Sequence, residues 1–144
     1  MPGLSALAFQ CHGTPLSFAH ALIDQAGVDV IHGHSSHHPK GLEIHNGKLI
    51  LCGCGDLIND YEGISGHDAY RGDLTAIYAV EVSATGRLVG LTVLPFQMRR
   101  FRLNRTTPDA SDWLCRKLNQ HIIATNLILA PGADHAFHLV ERQD

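Results

Sequence analysis

The sequence predicts an α/β fold that opens with a helix feeding a strand, continues through β-hairpins and closes on a C-terminal helix with two short strands. Three observations predict it. Apolar residues recur at helical spacing between Pro15 and Gly27, Asn46-Gly47 stands between two apolar runs, and a second alternating pair of runs flanks Ala84-Thr85-Gly86. A period near 3.6 marks an amphipathic helix, whereas Asn-Gly between apolar runs is the strongest short signal for a two-residue hairpin.

Thr14 followed by Pro15 is a helix opening, with the threonine as N-cap and the proline at the first helical position. Leu16, Ala19, Leu22, Ile23 and Ala26 then share a face up to Gly27. The helix feeds a short apolar strand at residues 28–31. Residues 42–45 and 48–53 make the first hairpin. Residues 56–72 are polar, glycine-punctuated and too irregular for an element, which reads as a long surface loop. Residues 73–83 and 87–95 form a second hairpin, and a further short strand is expected near 98–104. Thr107 caps a helix from Pro108 to about His121, with Ala110, Leu114, Leu118 and Ile122 on one face. Residues 127–129 and 136–140 close the chain as strands.

At 144 residues, with 44% hydrophobic and 17% charged side chains, the chain is one globular domain's worth. No apolar run approaches the ~20 residues of a membrane helix. The first ten residues lack the basic start and long apolar stretch of a signal peptide, so no export address is expected in this chain and its location stays open. A net charge of −3 argues against general nucleic-acid binding, which neutralises phosphates with Lys and Arg. The four cysteines, Cys11, Cys52, Cys54 and Cys115, are expected as free core thiols, with Cys52 and Cys54 on one face of a strand.

Eleven histidines are the compositional oddity, and three of them fall in Gly33-His34-Ser35-Ser36-His37-His38, at the exit of the first strand. Imidazoles crowded on one loop can converge on one cation, which makes His34, His37 and His38 the candidate metal ligands. His32 alternates back into the strand. Gly33 supplies the freedom to take positive φ or to bring the backbone close to an ion. A second constellation, Asp56, Asn59, Asp60 and Glu62, offers oxygen donors of the kind magnesium, manganese or calcium take, and its spacing is not that of an EF-hand. Asp56 and Asp60 are the candidates for supporting a ligating imidazole. A third set is Arg99, Arg100, Arg102 and Arg105. Strand alternation sets Arg100 and Arg102 together beside Met98, a guanidinium pair suited to carboxylate or phosphate on an anionic polymer. Each set also has a plain reading: histidines crowd on surfaces by chance, acidic loops are solvated, and charged edge strands block aggregation.

Across residues 18–105 the order of motifs is a strand, Gly33-His34-Ser35-Ser36-His37, Gly41-Leu42-Glu43, a Gly47-Lys48 turn, and a strand ending in Gly55-Asp56. This order resembles the C-terminal part of the CapA family, which is tied to poly-γ-glutamate capsule biosynthesis and whose fold resembles the calcineurin-like metallophosphatases. The resemblance implies the C-terminal half of a metallophosphatase-like sandwich, with 14–144 a partial CapA-like domain and 1–13 a poorly matching extension. It also implies a divalent metal, zinc, manganese or magnesium, held by His34 and His37, with Asp56 ending a core strand beside the site. Metallophosphatases carry Gly-His-x-His at this strand exit, and here the histidines stand one residue further apart. The Asp-x-His, Gly-Asp and Asn-His ligands of the family's first half do not occur before Gly33. The chain is therefore expected to be a truncated product or a mis-started frame, inactive toward phosphoesters by itself. Self-association is expected through the strand at 28–31. Full-length members of such a family are compatible with export or membrane association. The alternative reading is a non-catalytic capsule-associated module that binds an anionic polymer through Arg100 and Arg102.

Overall fold

The computed structural model describes residues 14–34, 36–59, 71–123 and 126–143. Two sheets carry the fold. Helix α1, Thr14–Ala26, ends at Gly27, whose φ of +72° is the left-handed cap that glycine reaches at least cost. Strand β1, Val30–His32, lies parallel to β3, Lys48–Leu51, and β3 pairs antiparallel with β2, Leu42–His45, giving the order β1-β3-β2. Asn46 and Gly47 join β2 to β3 with φ of +50° and +78°, the two positive values a tight hairpin of this hand requires. The expected α/β start and first hairpin are both present.

The second sheet is built on β5, Leu88–Arg99. Along one edge β5 pairs with β4, Leu74–Val82. Along the other it meets β8, Phe137–Glu141, through Thr92 and Val93, and then β6, Arg102–Arg105, from Phe96 onward. Pro95, which has no N–H to give, stands where the second partner changes. Strand β7, Leu127–Pro131, flanks β8. Helix α2, Pro108–Asn119, begins as expected: the Thr107 side chain accepts a hydrogen bond from the Ala110 N–H.

Alternation on the small sheet divides the interior in two. Leu42, Leu49 and Leu51 face the main core with Leu74, Leu91, Val93, Leu129, Phe137 and the α2 residues Ala110, Leu114 and Leu118. Ile50 faces the other way, onto Ala19 and Ile23 of α1. The hairpin tips of the two sheets are tied by the Leu88 N–H donating to the Gly47 carbonyl at 2.8 Å and by Arg87 Nη1 donating to the Asn46 carbonyl at 3.3 Å, while an ion pair between Lys48 and Asp29 joins β3 to the residue ahead of β1 within the small sheet.

Three expectations are corrected. Cys54 and Cys115 are free and buried, but Cys52 is disulfide-bonded. Cys52 also packs toward α1 whereas Cys54 enters the main core, because β3 ends at Leu51 and strand alternation ends with it. The segment 98–104 is not one strand. The chain reverses at Arg100 and Phe101, with φ of +54° and +57°, so that Arg99 pairs with Arg102 across a hairpin. No helix among the described residues is long and apolar enough to cross a membrane.

Candidate functional site

The histidine loop is clamped onto the segment that leaves β3. The Gly33 N–H donates to the Leu51 carbonyl at 2.7 Å, and the Cys54 N–H returns to the Gly33 carbonyl at 3.1 Å. A Cβ on Gly33 would come within 2.6 Å of the Cys52 carbonyl oxygen, so the residue is needed for this backbone approach rather than for positive φ. Beyond it, the Lys40 N–H donates to the Gly53 carbonyl at 2.8 Å and Pro39 bridges Cys54. Ser36 Oγ donates to the His38 carbonyl at 3.0 Å.

This clamp brings two sets predicted separately into contact. His37 Nδ1 and Asp56 Oδ2 are 2.7 Å apart, and Asn59 Nδ2 donates to the same carboxylate oxygen at 3.0 Å. With Nδ1 donating to a carboxylate, the ring's lone pair resides on Nε2, the nitrogen that such a pair presents to a metal. His34 is exposed on the same loop and His38 is half-buried. Asp60 and Glu62 lie outside the described residues.

Arg99, Arg100 and Arg102 line one cavity of about 540 Å³ together with Asn104. Alternation had set Arg99 apart. The tight reversal at Arg100 and Phe101 is what gathers all three, and Asn104 braces it by donating to the carbonyls of Gln97, Arg99 and Arg102 at 3.0 to 3.3 Å.

A further constellation escaped the sequence reading. His20 on α1 and Glu43 and His45 on β2 place one ligand-capable atom each within 4.8 Å of the others, and among the described residues it is this trio, not the loop histidines, that converges so. His20 Nε2 meets Glu43 Oε2 at 2.8 Å, and His45 Nε2 lies 3.0 Å from both oxygens of Asp24. The two rings stack with centroids 3.9 Å apart. Hydrogen bonds from His45 and then Asn46 hold the Asp24 carboxyl below its ordinary value, against a smaller opposing effect of burial. Glu43 is only 8% exposed. Its period-2 partner on the strand, His45, was the available signal, since both point to one face of β2 where a helix bearing His20 packs.

An α/β unit with a histidine loop clamped at a strand exit and a carboxylate on one of its imidazoles is the setting in which the comparisons fall. Residues 10–61 match the family described as bacterial capsule synthesis protein PGA_cap. Together with a curated relative, this match supports a CapA-like capsule synthesis family member of which the chain carries part. It is 50% identical over 100 residues to a probable polyglutamine synthesis accessory protein of Mycobacterium tuberculosis, found in two strains of that organism. The aligned part is 69% of this chain and 26% of each relative, so the chain spans about a quarter of the length of the curated relatives it matches. The family match includes the histidine loop, Asp56 and the His20, Glu43 and His45 trio, and stops short of the arginine hairpin.

Proposed function

We propose that the chain supplies one side of a metal-dependent, phosphoesterase-like site in a protein that assists poly-γ-glutamate or capsule synthesis. In this reading the fold is the C-terminal half of a metallophosphatase-like sandwich. The observation that carries it is the 2.7 Å contact between His37 and Asp56. Among the residues present, His34 and His37 suit the role of imidazole donors to zinc, manganese or magnesium, with His38 next to them. Asp56 fixes the His37 tautomer, and Asn59 steadies Asp56. A bound divalent ion would polarise a phosphoryl oxygen or acidify a water. The chain's own residues hold and orient. A two-metal site also takes ligands from the family's upstream half, so this chain alone is expected to leave generic phosphoesters intact.

Calorimetry with zinc or manganese tests the assignment. Replacing His34 and His37 together with alanine should remove the loop's binding, and Asp56→Asn should weaken it about 10- to 100-fold. Heats from this locus that are unchanged in both variants would reject it. Turnover of a chromogenic phosphodiester that vanishes in His34→Ala would instead reject the incomplete-site reading.

A second reading has its own observation, the cavity lined by Arg99, Arg100 and Arg102. Guanidinium groups gathered on a hairpin suit the carboxylates of a polyanion. Under this reading the chain is a non-catalytic binding module. Retention of the chain by immobilised poly-γ-glutamate, lost in Arg100→Ala/Arg102→Ala but kept in the histidine variants, would favour it.

A further inference from the structure

Glu43 sits where a carboxylate is costly. It points from β2 into the layer between the small sheet and α1, beside a cluster made of Ala19, Ile23 and Ile50, and only 8% of it is exposed. A buried carboxylate needs a compensating charge as well as hydrogen bonds. Its one described side-chain partner is His20, and a neutral imidazole offers a hydrogen bond without charge. Asp24 then brings a second carboxylate onto His45, 3.0 Å from the Nε2 of a ring stacked on His20. Two imidazoles and two carboxylates thus meet at the seam between one helix and one strand.

We propose that His20, Glu43, His45 and Asp24 form a second metal site, of the zinc class, that staples α1 to the small sheet independently of the histidine loop. The converging trio supplies two nitrogens and one carboxylate oxygen, and Asp24, now bonded to His45 and Asn46, would swing in as the fourth donor; a closed set of four is the mark of a structural rather than a catalytic ion. The donor types select zinc and its neighbours over magnesium or calcium, which take oxygen shells. The ion would neutralise Glu43 and Asp24 at once. Tetrahedral zinc holds its donors about 3.4 Å apart, so the His20 and Glu43 atoms, now 2.8 Å apart, must part slightly while the wider separations of the trio, within 4.8 Å, shorten. One imidazole must also turn about its Cβ–Cγ bond, because a single ion cannot lie in the planes of two parallel rings. The helix has few apolar anchors to oppose that movement, Ala19 and Ile23 being its buried residues in this layer.

The site is tested on the full chain with zinc chloride as the probe, in a background where His34→Ala and His37→Ala silence the loop. About one zinc per chain should still bind, and zinc should raise the thermal midpoint. His45→Ala on that background should weaken binding at least 10-fold, as should Glu43→Gln. A silenced chain that binds no zinc overturns the proposal, and so does undiminished binding by His45→Ala. Should a variant fail to fold, the imidazole nitrogen resonances of His20 and His45 in the silenced chain decide. They must shift on adding zinc, and unshifted resonances overturn it. Failure here leaves the loop assignment intact, since that is read from the His34 and His37 variants alone.

Discussion

The two faces of the three-stranded sheet are built from neighbouring residues of the same strands, yet they solve burial differently. On β3, Leu49 is fully buried in the main core, packed with two sheets and α2. Ile50, one residue on and 2% exposed, meets only Ala19, Ile23 and a few half-buried side chains. The first face is closed by apolar packing. The second is closed by a thin apolar patch together with histidine–carboxylate pairs. The candidate ligating histidines and carboxylates gather on the second face and at the strand exit beside it, where packing leaves room for polar groups.

Truncation on β3 gives the largest expected effect. Leu49→Ala should cost about 3–4 kcal/mol, because the surrounding sheets cannot close on the cavity, whereas Ile50→Ala should cost about 2 kcal/mol because α1 can settle toward the sheet. Urea unfolding of both variants provides the comparison. Equal losses would break the contrast and show that α1 packs as firmly as the main core.

The polar ties of the main-core side offer a sharper test. Asp73, just ahead of β4, takes paired hydrogen bonds from Arg71 at 2.8 and 2.9 Å and another from Gln97 at 2.7 Å. Burial pushes its carboxyl up, but the bonds from Arg71 and Gln97 outweigh that and hold it below the ordinary value of 3.8. A lowered folded-state value means the charged form stabilises the fold above the ordinary carboxylate range, and that the contribution is lost as pH falls through the lowered value. Asp73→Asn should therefore cost roughly 1–2 kcal/mol at neutral pH and progressively less toward about pH 3. A gap between wild type and variant that stays constant with pH would show that the carboxylate's charge has no part in the tie.

Most elements were legible in the sequence because they rest on local chemistry. Thr107 before Pro108, Asn46-Gly47, and the leucines of α2 each specify their element within a few residues. The misread parts depend on geometry that one-dimensional spacing does not carry. Alternation placed Arg99 opposite Arg100, but two non-glycine residues at positive φ reverse the chain there. Cys52 and Cys54 were set on one face by a period that stops at Leu51. The His37 and Asp56 contact joins two sets that were each visible alone, whereas His20, Glu43 and His45 stayed hidden because a helix and a strand 23 residues apart must pack before they meet.

The smallest expected effect concerns the main core itself. The Tyr78 hydroxyl, on β4, is buried without a hydrogen-bond partner among the described residues. Burial, and secondarily the neighbouring Cys54 sulfur, push its phenol well above the usual tyrosine range, while burial alone raises the Cys54 thiol to about 11. An apolar interior gains little from a hydroxyl that must shed water and finds nothing in exchange. Tyr78→Phe keeps the ring and its packing and removes only that oxygen, so it should be neutral or stabilising by about 0.5–1 kcal/mol in urea unfolding. A loss larger than about 1 kcal/mol would mean that the hydroxyl is satisfied in solution, as by a buried water. The main core would then hold polar groups of its own, and the contrast between the two faces of the small sheet would narrow to a difference of degree.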